Sequence, residues 1–76
     1  MMYHFKVLSL SVRAVQINHL GKVIISSKIL YGDAGSWVVI NEATNERTTW
    51  SDIEFRRNFE PADIFAEEYL KNAIKK

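Results

Sequence analysis

Trp50-Ser51-Asp52-Ile53-Glu54-Phe55-Arg56-Arg57-Asn58-Phe59-Glu60-Pro61 is the stretch in which the chain changes its period. Ahead of it apolar residues recur at every second position, and behind it at every third or fourth. Ser51-x-x-Glu54 has the form of a capping box, in which the Ser51 hydroxyl accepts from the Glu54 amide and the Glu54 carboxylate reaches back. Asp52 in the first turn suits the dipole of a helix, and Arg56 and Arg57 sit near its end. Pro61 pushes Glu60 away from helical geometry and so limits this helix to about two turns. Pro61 is also a favourable first residue for a second helix. Along that helix Ala62, Phe65, Ala66, Tyr69, Leu70 and Ala73 share one face, opposite Asp63, Glu67, Glu68, Lys71 and Lys75. Ile64 falls on the polar side as a spare apolar group.

Working back from there, the chain reads as strand. Tyr3, Phe5 and Val7 alternate with His4 and Lys6, and Val15 and Ile17 with Gln16 and Asn18, so residues 3–17 form strand with a break near Ser9-Leu10-Ser11. Asn18-His19-Leu20-Gly21 turns the chain, and Lys22 to Tyr31 resumes strand character to complete an antiparallel hairpin. Gly32-Asp33-Ala34-Gly35-Ser36 breaks the chain again. Trp37–Ile40 and Arg47–Trp50, joined by polar residues 41–46, make a second hairpin. The expected fold is α+β in a single domain over residues 1–76. A small antiparallel sheet of about four strands, in two hairpins, precedes a short helix and a C-terminal amphipathic helix.

The 76 residues are 47% hydrophobic and 25% charged, with 3 Gly and 1 Pro, the composition of a globular chain. Without cysteine, a disulfide scaffold and a thiolate zinc site are excluded. The longest apolar run is far short of the roughly 18 residues that a membrane span needs. The opening Met1-Met2-Tyr3-His4-Phe5-Lys6 leads into alternation, so no secretory signal is expected. Net charge is only +1, but its order is uneven. Lys6, Arg13, Lys22 and Lys28 precede the first acid, Asp33. All nine acids lie between Asp33 and Glu68, and Lys71, Lys75 and Lys76 close the chain.

Catalytic chemistry finds little to work with. His4 and His19 have no carboxylate nearby in sequence, and no serine sits in a nucleophile elbow. Asp52-x-Glu54 and Glu67-Glu68 read as helix-surface charges. Residues 32–36 have the glycines of a phosphate loop but no following Lys-Ser/Thr, and read as a turn. No metal or cofactor is expected. Trp37, in an apolar strand, reads as core. Trp50, where strand meets helix, is either core or an exposed anchor of the kind enriched at interfaces.

Three segments resemble a group of small phage-encoded proteins of unknown function, whose pattern is V-x-A-x-Q, then G-D-(W/Y)-(I/V)-V, then F-x-x-x-(F/Y)-E-P. The matching residues are Val12, Ala14 and Gln16; Gly32, Asp33, Trp37, Val38 and Val39; and Phe55, Phe59, Glu60 and Pro61. Ala34-Gly35-Ser36 separate Gly32-Asp33 from Trp37 here. The resemblance spans residues 12–61 and implies a phage origin and a life in the cytoplasm of a host bacterium; it brings no catalytic residues.

The leading expectation is a non-enzymatic phage accessory protein that binds and modulates or inhibits a host bacterial protein, such as a defence or regulatory factor. Its contact surface would centre on Trp50, Asp52, Arg56 and Arg57. The alternative is a small nucleic-acid-binding protein that uses Lys6, Arg13, Lys22 and Lys28 on the basic N-terminal hairpin. A third and weaker expectation is a hydrolase or ligand-sequestering protein with a pocket at Gly32–Ser36. A homodimer through Ile64, Ile74 and Trp50 is also expected, because a domain this small buries only about 60% of its unfolded surface.

Overall fold

A computed structural model describes every residue from Met1 to Lys76 and builds an α+β fold from seven strands and two helices. The strands are β1 (Tyr3–Val7), β2 (Leu10–Gln16), β3 (Lys22–Ile25), β4 (Lys28–Tyr31), β5 (Trp37–Asn41), β6 (Arg47–Trp50) and β7 (Glu60–Pro61). Helix α1 (Asp52–Asn58) lies between β6 and β7, and α2 (Ile64–Asn72) follows β7. Five strands pair antiparallel in the order β6-β5-β2-β1-β7, while β3 and β4 form a separate hairpin.

This is more sheet than the four strands expected. The β5–β6 hairpin forms as read, with Trp37 opposite Trp50 and Ile40 opposite Arg47. The first expected hairpin does not form, because each of its two arms folds back on itself. Val7 pairs with Leu10 across Leu8-Ser9, and Ile25 pairs with Lys28 across Ser26-Ser27. Leu8, Ser26 and Ser27 take positive φ (54°, 51° and 66°), so these turns run without the glycine or asparagine that usually marks them. With β3 and β4 paired to each other, β2 finds β5 instead, from Val12 opposite Asn41 to Gln16 opposite Trp37.

The helical region also differs in detail. Ser51 caps α1 by accepting from the Glu54 N–H at 3.2 Å, as the capping box requires, but no bond returns from Ser51 to the Glu54 carboxylate. Pro61 does not open a helix. It pairs with Phe5 in a short edge strand, where its missing N–H costs no ladder bond, and the Ala62 N–H donates to the His4 carbonyl. The second helix therefore starts at Ile64, capped by Asp63, whose carboxylate accepts from the Ala66 N–H at 2.9 Å. The later start narrows the packed stripe to Ala66, Tyr69, Leu70 and Ala73. Phe65, expected on the buried face, lies off that stripe in solvent.

Strand alternation divides the core in two. On one face Phe5, Val12, Ala14, Trp37 and Val39 pack under Phe55 and Phe59 at α1 and Ala66 of α2. On the other, Val15, Ile17 and Val38 are covered by Val23 and Ile25 of the hairpin. No helix is long and apolar enough to cross a membrane.

Candidate functional site

Two buried polar side chains bind the segment after α2 to the sheet. The Gln16 amide nitrogen donates to the carbonyls of Gly35 (3.0 Å) and Ile74 (2.7 Å), and its oxygen accepts from the Ile74 N–H (2.8 Å). Asp52 Oδ1 accepts from the Trp37 indole (2.9 Å) and from Arg56 Nε (2.8 Å), and Oδ2 accepts from the Lys76 N–H (3.0 Å). Gly35 (φ 91°) completes the clamp, because a Cβ there would stand 2.8 Å from the Lys76 side chain. Asp52 was expected on the helix surface. Its side chain is buried, with the residue only 3% exposed, because it lies between the Trp37 indole and the end of the chain at Lys76. Burial pushes its carboxyl pKa up, but the Lys76 N–H, the Trp37 indole and Arg56 outweigh burial and hold it below the usual range.

The residues expected to form a protein-binding surface are thus divided. Buried Asp52 pairs with the half-buried Arg56, which also reaches the Leu70 carbonyl at 3.4 Å. Trp50 is half-buried, edge-on to Phe59 with ring centroids 5.1 Å apart, and its indole donates to Thr48 Oγ1 at 2.9 Å. Only Arg57 is exposed, and it shares a shallow cleft with Arg56, Lys6, Leu8 and Glu60. Of the residues expected at a dimer contact, Ile64 is exposed beside Phe65, while Ile74 is half-buried in the clamp.

The four expected nucleic-acid contacts also separate. Lys6 faces Glu60 at 4.0 Å, and Lys22 lies on the outer face of the hairpin opposite Tyr31. Arg13 and Lys28 do meet. They line a cleft of about 590 Å³ between the hairpin tip and the sheet, together with Arg47, Ser26 and Asn45. Along β4 a second cleft of about 310 Å³ shares Leu30 and Arg47 and continues past Tyr31, Ser36 and Thr49 to Gly32 and Asp33. The loop expected to hold a ligand pocket therefore forms one end of this groove. His4 Nδ1 donates to the Glu42 carboxylate at 3.0 Å, and no group of three or more His, Asp or Glu side chains is placed to hold a metal ion.

Sequence reading missed two features. Arg47 follows Glu42 and Glu46 in the acidic stretch of the sequence, but Glu46 lines a cleft with Trp50 and Phe59, on the opposite face of the sheet. The other is the outer face of the hairpin. Ile24 and Ile29 are opposite one another and each more than half exposed, next to Tyr31, with Leu20 exposed in the preceding turn. The signal was Val23-Ile24-Ile25: three consecutive apolar residues in a strand always turn one or two away from the core. No protein-family model, curated protein or solved structure matches this chain.

Proposed function

We propose that this chain is a non-enzymatic binding protein, a phage accessory factor that occupies a surface on a host bacterial protein in the host cytoplasm. The exposed outer face of the β3–β4 hairpin carries this reading. Val23, Ile25 and Leu30 cover the sheet, so the same two strands turn Ile24, Ile29 and Tyr31 outward, each more than half exposed, with a cleft of about 460 Å³ running from Ile24 and Ile29 to Met1 and Val15. Contiguous apolar surface of this kind is a mark of interaction sites. That outer face carries Lys22 and no acid, so the complementary partner surface is apolar with carboxylates at its rim. The resemblance of residues 12–61 to small phage proteins supplies the setting.

The contact therefore moves from the Trp50 junction to the hairpin. Asp52 and Arg56 are occupied by the clamp, and Arg57 contributes at most a rim charge. Capture from bacterial lysate on the immobilised protein, followed by mass spectrometry, identifies the partner. Ile24→Ser with Ile29→Ser should then weaken its binding at least about tenfold, or 1.4 kcal/mol, with the circular dichroism spectrum unchanged. Arg57→Ala should leave it nearly intact. Loss with Arg57→Ala and retention with the isoleucine pair would return the site to the junction.

A further inference from the structure

The groove along β4 carries a second, separate site. Arg13 from the middle of β2, Lys28 from the start of β4 and Arg47 from the start of β6 come from distant parts of the chain and line one cleft. None of the three is ion-paired: the charged pairs in the fold are His4–Glu42, Lys6–Glu60 and Arg56–Asp52. No carboxylate lines the cleft, whose remaining polar groups are Ser26 and Asn45. Three unpaired like charges side by side oppose folding, and a bound polyanion reverses that cost.

We propose that this groove binds the backbone of a single-stranded nucleic acid. Two of the three cations are arginines, whose planar fork matches phosphate oxygens. The groove does not stop at the cations. It runs past Arg47 into the neighbouring cleft, where the largely exposed Tyr31 offers a ring for base stacking and Thr49 and Ser36 offer hydroxyls. Its only acid, Asp33, lies in the second cleft, away from Arg13 and Lys28. A small phosphate would leave part of this row of cations unpaired, whereas a strand laid along β4 meets all three in turn. Stacking on Tyr31 needs a base free of its pairing partner, so a single strand is favoured over a duplex.

The site shares Tyr31 with the hairpin's outer face but neither Ile24 nor Ile29, and it is tested separately, by fluorescence anisotropy of labelled oligo(U) and oligo(dT). Three phosphate contacts on a single strand predict a log–log salt slope near about −2, at roughly −0.7 for each contact. Arg47→Gln should reduce that slope by about 0.7 and weaken binding several-fold at low salt. Lys71→Gln makes the same change in net charge on exposed α2 and should alter neither, and Ile24→Ser should leave both as they are. Circular dichroism confirms that each variant is folded. The proposal is overturned by absence of binding, by equal losses in Arg47→Gln and Lys71→Gln, by equal affinity for a duplex of the same length, or by displacement of the strand with inorganic phosphate at matched ionic strength.

Discussion

The two faces of the five-stranded sheet are covered in opposite ways. Under the helices the contacts are aromatic and interlocked. Trp37 and Phe55 stack with centroids 4.0 Å apart, Phe5 meets both rings edge-on, and Tyr3 and Tyr69 stack at 4.0 Å. Gln16 and Asp52 are buried at this side, and no buried side-chain polar atom lacks a partner. Across the sheet the core is aliphatic, from Val15, Ile17 and Val38 to Val23 and Ile25, and its cover is only two strands thick. Both long sides of that hairpin are flanked by clefts. The difference separates two tasks. A satisfied aromatic core fixes one arrangement of sheet, helices and chain end, which leaves the hairpin face free to expose apolar and basic groups that add nothing to the interior.

The largest effects should fall on the helix face. Trp37→Ala removes the ring at the centre of the aromatic cluster and a donor to Asp52, and should cost about 3–5 kcal/mol in urea unfolding. Ile25→Ala, on the inner face of the hairpin, should cost only about 2 kcal/mol, the low end for such a truncation, because a cover of two strands can settle into the gap. Comparable losses from the two would mean that the faces are equally important to stability and would break the contrast.

Next in size is the clamp. Asp52→Asn keeps the shape of the side chain but leaves Arg56 without its counter-charge, and should cost roughly 3 kcal/mol at neutral pH. The pH dependence follows from the lowered carboxyl pKa. In the unfolded chain Asp52 titrates near 3.8, and in the fold below that. Its contribution is complete above the unfolded value and disappears as pH falls through the folded one. The wild-type chain should lose this stability in that acid window, and Asp52→Asn should lack that part of the loss. Parallel stability profiles for the two proteins would remove Asp52 from the clamp.

What could be read in the sequence depended on how strongly each signal is tied to one residue type. The Ser51 cap, the shift to helix after Trp50 and the burial of Trp37 rest on local chemistry that few other arrangements satisfy, and all three are in the structure. The β5–β6 hairpin was legible because residues 41–46, polar except for Ala43, interrupt two β-rich runs. The break near Ser9 was legible as a break but not as a reversal, and the Ser26-Ser27 turn was missed, because neither pair has the glycine, asparagine or aspartate that marks a two-residue loop and such loops inside apolar runs look like continuous strand. Pro61 was ambiguous, since its fixed φ suits a helix start and an edge strand alike. The clamp was illegible for another reason. Gln16 and Asp52 meet partners far along the chain, at Ile74 and Lys76, and no short-range pattern reports such contacts. Arg13, Lys28 and Arg47 share a cleft only because β2 pairs with β5 rather than with Lys22–Tyr31, so misplacing one hairpin hid the site as well.

The smallest predicted effect is a gain, and it bears on those turns directly. Ser26 and Ser27 both hold positive φ, the pattern of a type I′ turn that favours Asn-Gly. A left-handed conformation costs a residue with a Cβ about 1–2 kcal/mol. Glycine avoids that cost but gives the unfolded chain more freedom, which offsets roughly 0.5–1 kcal/mol. Ser27→Gly should therefore raise stability by about 0.5 kcal/mol, a rise in melting temperature of roughly 2–4 °C for a domain of this size. Ser27 lines neither cleft at the hairpin, so oligonucleotide affinity should not change. Amide hydrogen exchange would sharpen the contrast between the faces. If the hairpin opens locally while the helix face stays closed, the added stability should slow exchange in β3 and β4 and leave β2 and β5 almost unaffected. Equal slowing throughout the sheet would mean that the hairpin opens only with the whole fold, and that its thin cover is no weaker than the aromatic side.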